Sequence, residues 1–322
     1  MKSKDEMLLG IKKETLRNSM VYIAFVVLFI IFSITLRNVG NGFLSEGNIW
    51  NIIRQTSLIA ILGVGMVFAL GAGQIDLSVG SIVAVTSLVA ALVVQRFGII
   101  MGVAAGVLVG VVVGTLNGIL IAWVNIPPFL ATLGTQIIFA GVARTMTGLR
   151  SIPITNNVYR NVFGGGNIGS VPALLIWMLV IVIAGHVIMR KLPFGRRTLA
   201  IGGNAKAAEY SGVNVKRMKL GVMLLSGTLA AIAGLLWAGR FGGGRHSLGE
   251  GAELSAIAAA VLGGTSISGG VASVIGAMVG AIMIGMIDNA LVMYGLDVYQ
   301  QMIVRGVVII MAVAATARRG NG

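Results

Sequence analysis

The 322-residue chain contains no cysteine. It can form no disulfide and no thiolate metal site, and cysteine usage says nothing of its redox compartment. Its two histidines, His186 and His246, lie far apart. A metal centre built on imidazole would need other ligands. Charge is scarce, at 11% of residues, where soluble domains carry about 25%. No G-x-x-x-x-G-K-[ST] phosphate loop, H-E-x-x-H or G-x-S-x-G motif occurs. The expectation is a chain that is not an enzyme, with no catalytic residue, metal or cofactor of its own.

What fills the sequence is apolar. Hydrophobic residues make up 57%, mean hydropathy is +0.95, and glycine numbers 47. Such a chain could not cover a soluble surface with polar groups. A soluble enzyme, a nucleic-acid binder and a disordered chain are therefore excluded. The net charge of +14 belongs to cations set between apolar runs, which is a topology signal. The predicted fold is all-α: a polytopic bundle in a lipid bilayer.

A span needs about 20 mostly apolar residues. Ten are predicted, at about 19–36, 54–72, 79–95, 99–124, 128–146, 172–190, 220–239, 253–267, 271–293 and 299–317. The eighth is short and runs into Gly263-Gly264-Thr265-Ser266-Ile267-Ser268-Gly269-Gly270, which reads as a half-helix or broken hairpin. Fifteen of the 24 cations fall in 1–18, in the 190–219 loop and at the C-terminus. An even span count puts all three on one face, so both termini and the loop are placed in the cytoplasm. The organisation expected is a cytoplasmic segment 1–18, one transmembrane domain 19–317 with a cytoplasmic loop 191–219, and a tail 318–322. The first span reads as an uncleaved anchor, since a polar segment precedes it and no cleavage site follows.

Glycines 102, 106, 110, 114 and 118 recur every four residues. They predict a close helix-packing stripe, or a sliding seam. Stretches 106–143 and 276–314 look alike in outline, suggesting an inverted repeat.

Polar groups at membrane depth are candidates for function. Asp76, in Gln74-Ile75-Asp76-Leu77-Ser78, could cap the third span together with Ser78, or mark a re-entrant segment on a translocation path. Asp288 and Arg305 flank a short loop at similar depth, which predicts an ion pair. Its role is charge neutralisation or proton coupling. Asn117, Thr132, Thr135, Gln136, Thr265, Ser266, Ser268, Asn289, Gln300 and Gln301 offer groups that suit a neutral polyol, or helix–helix hydrogen bonds. The candidate path or gate comprises Gln74, Asp76, Ser78, Asn117, Thr265, Ser266 and Asn289. In the basic loop, Asn204 is a good N-cap and Gly212 a good C′ residue. Between them a short Ala-rich helix is expected, either an ordinary surface helix or a docking peg.

Four segments resemble the membrane permeases of bacterial ABC importers for monosaccharides, the ribose permeases above all. They are 73–80 (GQIDLSVG), 126–134 (IPPFLATLG), 194–215 (FGRRTLAIGGNAKAAEYSGVNV) and 253–270 (ELSAIAAAVLGGTSISGG), followed by 299–303 (YQQMI). The resemblance implies a permease subunit that moves a sugar inward by alternating access. It implies a second permease subunit, with a homodimer expected, and a cytoplasmic ATPase that uses ATP and Mg. It also implies a periplasmic sugar-binding protein. It makes 194–215 the ATPase-coupling loop, with Asn204, Ala207, Ala208, Glu209 and Gly212 as its contact residues. The 263–270 break becomes part of a gate. Related permeases carry autoinducer-2, other sugars or branched-chain amino acids. A rival of another class is an ion-coupled secondary carrier using Asp76 or the Asp288–Arg305 pair.

Overall fold

The computed structural model describes the backbone of residues 21–317, and the side chains of these except 309 and 311–317. The expected segments 1–18 and 318–322 lie outside the described residues. Apolar runs become helices because in lipid each backbone N–H and C=O must be paired within its own segment. They are α1 (Val21–Thr35), α2 (Glu46–Gly71), α3 (Val79–Ala122), α4 (Pro128–Thr147) and α6 (Ala173–Lys191), with a one-turn α5 (Asn157–Arg160) before α6. Then come α7 (Pro193–Gly203), α8 (Ala205–Tyr210), α9 (Val215–Phe241), α10 (Ala252–Leu262), α11 (Val274–Met293) and α12 (Val298–Ala317). Two small antiparallel pairs join loops: β1 (Ile152–Pro153) with β4 (Gly243–Gly244), and β2 (Asn167–Ile168) with β3 (Val171–Pro172).

Among the described residues, six helices are long and apolar enough to cross a membrane: α2, α3, α4, α6, α9 and α11. The 44-residue α3 is two arms, because Gly98 takes φ +82° and ψ 178°. Only glycine enters that region freely. Contacts astride it show the chain doubling back. Thr86 Oγ1 donates to the Gly106 carbonyl at 3.4 Å, and Asn117 Nδ2 to Ser78 Oγ at 2.8 Å. The two arms match the two spans expected at 79–95 and 99–124.

The glycine stripe is a packing seam. Gly102 faces Ala90 and Val94 of the first arm, while Gly106, Gly110, Gly114 and Gly118 face Leu235, Gly227, Met223 and Leu220 of α9. A methyl group at Gly110 would overlap the Gly227 carbonyl. In α11, Gly276 and Gly280 seat Gly263 and Ala259 in the same way. At the centre stands α2, buried from Thr56 to Gly71 at every position but Ile59. It is apolar on all sides, as a helix surrounded by helices must be. On the outside, α4 exposes Phe129, Leu130, Ile137 and Ile138.

The 148–172 segment is pinned to α9. The fully buried Tyr159 donates to the Leu235 carbonyl at 3.0 Å and stacks on Phe163, which stacks on Trp177. Burial raises the Tyr159 pKa well above its ordinary value, so the phenol keeps its proton and remains a donor.

Candidate functional site

Two stretches of irregular backbone enter the bundle. The first, 72–78, follows α2. Gly73 turns it at φ +68°, and Asp76 holds it inside. Asp76 Oδ1 accepts from the Ser78 N–H (3.0 Å) and Oγ (2.6 Å), and Oδ2 accepts from Ser226 Oγ (2.7 Å). Ser226 lies about 16 Å along α9 from Val215, at 1.5 Å per residue. Asp76 is thus near mid-depth, and α3 starts there rather than at the end of the bundle. From Ser78 the network runs through Asn117 Nδ2 (2.8 Å) to Thr135, whose hydroxyl donates to Asn117 Oδ1 (2.8 Å). A carboxylate buried at this depth is tolerated because its oxygens are hydrogen-bonded.

The second stretch, 242–251, leaves the end of α9 and descends along the first arm of α3. Gly244 lies against Ser87 and Leu88, and Gly249 lies against Gly80 and Val83. Only then does α10 begin. At 11 residues it is about 16 Å long, half the ~30 Å hydrocarbon core. The short eighth run is therefore a half-helix preceded by a re-entrant loop. The N-termini of α3 and α10 meet where Gly80 touches Glu253.

Two cavities flank the start of α10. One, of about 350 Å³, lies between α2, the end of α9, α11 and α12, and its walls include Gln55, Arg240, Ser255, Asp288 and Arg305. Arg305 grips Asp288 with Nε at 3.3 Å and Nη2 at 3.1 Å, a two-pronged pair. The other, of about 280 Å³, lies between α4, the first turns of α3 and the descending loop. Its polar walls are Ser81, Gln136, Arg144, His246, Glu250 and Glu253. Gln136 Nε2 donates to Glu253 Oε1 at 2.8 Å, and Arg144 lies 3.7 Å from Glu250 at the rim.

Of the seven residues expected on a path or gate, none lines either cavity. Asp76, Ser78 and Asn117 form the network above. Gln74 is buried, donating to the Ala72 carbonyl at 3.2 Å. Asn289 pairs reciprocally with Asn48 at 2.9 and 3.1 Å, tying α11 to α2. Thr265 is buried and accepts from the Ser273 N–H at 3.2 Å, and Ser266 N–H bonds Val271. Glu253 was not singled out from the sequence, because a carboxylate in a first helical turn reads as ordinary complement to the helix dipole. The signal that could find it is its place in the first turn of a helix too short to span.

At the end of the bundle opposite the Gly98 turn, α7 and α8 form the 193–210 segment. Asn204 caps α8 by accepting from the Ala207 N–H at 3.0 Å, and Gly212 closes it at φ +83°. Ala208 is buried, while Ala207, Glu209, Tyr210 and Gly212 are exposed. The inner face of α7 is seated on two joints. Gly202 abuts the Gly71 carbonyl at the end of α2 and the Gly269–Gly270 turn beyond α10, and Gly270 N–H bonds Gly71 at 3.1 Å.

Residues 48–313 match the family described as branched-chain amino acid transport system / permease component. The ribose import permease RbsC of Bacillus subtilis (strain 168) is 40% identical over 296 residues, covering 91% of this chain and 90% of that one. A probable ABC transporter permease, YphD of Escherichia coli (strain K12), is 40% identical over 291 residues, covering 90% and 86%. The xylose transport system permease XylH of Haemophilus influenzae (strain ATCC 51907 / DSM 11121 / KW20 / Rd) is 31% identical over 358 aligned residues, covering 92% and 96%. With its apolar helices, buried central span and two interrupted segments, the chain belongs to the bacterial ABC-importer permeases, multi-pass proteins of the inner membrane.

Proposed function

We propose that this chain is the membrane subunit of an ATP-driven importer for a monosaccharide, ribose first among them. The observation that carries the reading is the likeness to a ribose permease along nine-tenths of both chains. The chain would span the bilayer ten times, with both termini and the 191–219 loop in the cytoplasm. A separate ATPase would bind the exposed face of α8 through Ala207, Glu209 and Gly212. Asn204 and Ala208 would hold that helix in place. ATP and Mg would be used by that partner alone. Movement of α7 would pass through Gly202 to Gly71, where the 72–78 stretch begins, and to the Gly269–Gly270 turn that follows the half-helix α10. A periplasmic sugar-binding protein would deliver the solute at the other end. Asp76, Ser78 and Asn117, with Gln74, Thr265, Ser266 and Asn289, would fix the broken segments rather than line the path. The Asp288–Arg305 pair neutralises two charges beside the 350 Å³ cavity, which supports a structural role over proton coupling.

The test is uptake of labelled ribose, xylose, galactose and autoinducer-2 in cells lacking this chain, with the chain restored alongside its ATPase and binding protein. Ribose uptake should appear, and should vanish when the ATPase is omitted or when Gly212→Trp places an indole on the docking face. Uptake of another of these solutes under the same controls would keep the importer and correct its cargo. Uptake that persists without the ATPase and collapses with a protonophore would make the chain an ion-coupled carrier.

A further inference from the structure

We propose that the 280 Å³ cavity between α4 and the start of α10 is a hydroxyl-binding subsite for the transported sugar, with Glu253 and Gln136 as its specificity-determining residues. The inference deepens the sugar-importer reading and rests on it.

Four observations carry it. The cavity is a little below the ~300–1,000 Å³ of pockets for drug-sized ligands, a size for a small solute. It sits where two helix N-termini meet at mid-depth, and interrupted helices in membrane carriers put free backbone groups at such places. Glu253 is 7% exposed, and although Oε1 takes the Gln136 amide, Oε2 has no hydrogen-bond partner among the described residues. The imidazole Nδ1 of His246 on the same wall also lacks one. Buried polar atoms are almost always satisfied; these two sit in the cavity wall with essentially no accessible surface, so a solute reaches them once the wall around Gly80 and the descending loop shifts.

The chemistry fits a neutral polyol. A carboxylate accepts two hydroxyl protons, the Gln136 carbonyl accepts another, and Ser81 both donates and accepts. Arg144 and Glu250 sit at the rim, one on α4 and one on the descending loop. Their pairing spans the mouth, so a change in the spacing of α4 and the loop would open or close it. Gly80 is part of the same construction. A Cβ there would occupy the space of the Glu253 carboxylate.

The test uses the full chain with its ATPase and binding protein in membrane vesicles. Since the chain has no cysteine, Ala140→Cys on the cavity wall supplies this chain's only thiol, and labelling is read on its own gel band. D-Ribose at high concentration should slow its labelling by a water-soluble maleimide, and glycerol should not. Gly306→Cys on α12, with open space around it, should show no such protection. In uptake, Glu253→Gln and Gln136→Leu should each lower ribose transport about tenfold, the value of one hydrogen bond to a charged group. Each should also change the ribose-to-xylose ratio, which a loss of folded protein would leave alone. Equal labelling with and without ribose, together with an unchanged ratio in both variants, would overturn the subsite while ribose uptake by the unaltered chain still stood. Absence of any sugar uptake by the unaltered chain would instead overturn the importer reading, and the subsite with it.

Discussion

The charges inside this bundle differ in what they cost to disturb. Asp288 is held on both oxygens by one guanidinium, and the Arg305 side chain is 34% exposed to the adjoining cavity. Removing one partner of a fully buried pair costs ~3–5 kcal/mol, and partial solvation brings this one to about 1–2 kcal/mol by analogy with exposed pairs. Asp288→Ala should therefore lower thermal stability in detergent by that amount, and Asp288→Ala with Arg305→Ala should recover most of it. A pair that acted in proton coupling would abolish uptake in both the single and the double variant, whereas a structural pair should regain uptake along with stability in the double. Residue roles were only half legible in the sequence. The Asp288–Arg305 meeting follows from two helices joined by a short loop, so spacing alone predicts it. Asp76 was legible as a cap or a path residue. Its partner Ser226 is 150 residues away, and no local pattern reports that contact. For Glu253 the short helix is the one local signal, and the sequence does not say that the carboxylate meets Gln136, 117 residues away.

At the scale of elements, apolar runs mark spans well because lipid leaves the backbone no other choice. Even the hidden turn inside α3 shows, as the Arg96-Phe97-Gly98 break between two apolar stretches. What the sequence does not show is that 242–251 descends beside α3, since a glycine-rich loop reads the same inside a bundle as outside it. The joints of the α7 segment were equally hidden, and they carry a sharp prediction. A Cβ at Gly202 would strike the Gly71 carbonyl, whereas one at Gly203 meets only the Gly270 Cα at 3.9 Å. Gly202→Ala should uncouple transport, with more ATP hydrolysed per sugar moved, at an overpacking cost of about 1–3 kcal/mol. Gly203→Ala should leave both readings near those of the unaltered protein. If the two variants behave alike, the joint does not transmit the motion. Within the same segment, Asn204→Ala removes the cap of α8 and should cost about 1 kcal/mol of local helix stability. The measurable outcome is weaker association with the ATPase in pull-down from detergent.

For the whole molecule, the question is what covers α4. Its described neighbours bury Ala131, Thr132, Thr135 and Ala143, and leave Ile137 and Ile138 exposed at 66% and 59%. Among the described residues, Gly134 and Gly141 have nothing within 4 Å of where a Cβ would stand. Seven residues apart, they lie nearly two turns along one face. Lipid is satisfied by large aliphatic side chains, while small residues in an open face let another backbone come close. The same helix forms one wall of the cavity holding Glu253. A second copy packed on α4, the homodimer expected from the sequence, would then wall in two such cavities about one axis. Gly141→Cys in the otherwise thiol-free chain should then form a disulfide between copies under mild oxidation. It would run as a species of twice 33.3 kDa on a non-reducing gel. Disulfides need Cα atoms within ~7 Å, so the bond reports direct contact and not mere proximity in the membrane. Gly306→Cys on α12 should remain monomeric. Crosslinking at Gly306 with none at Gly141 would move the paired face from α4 to α12, and the Glu253 cavity would then open to lipid rather than to a partner.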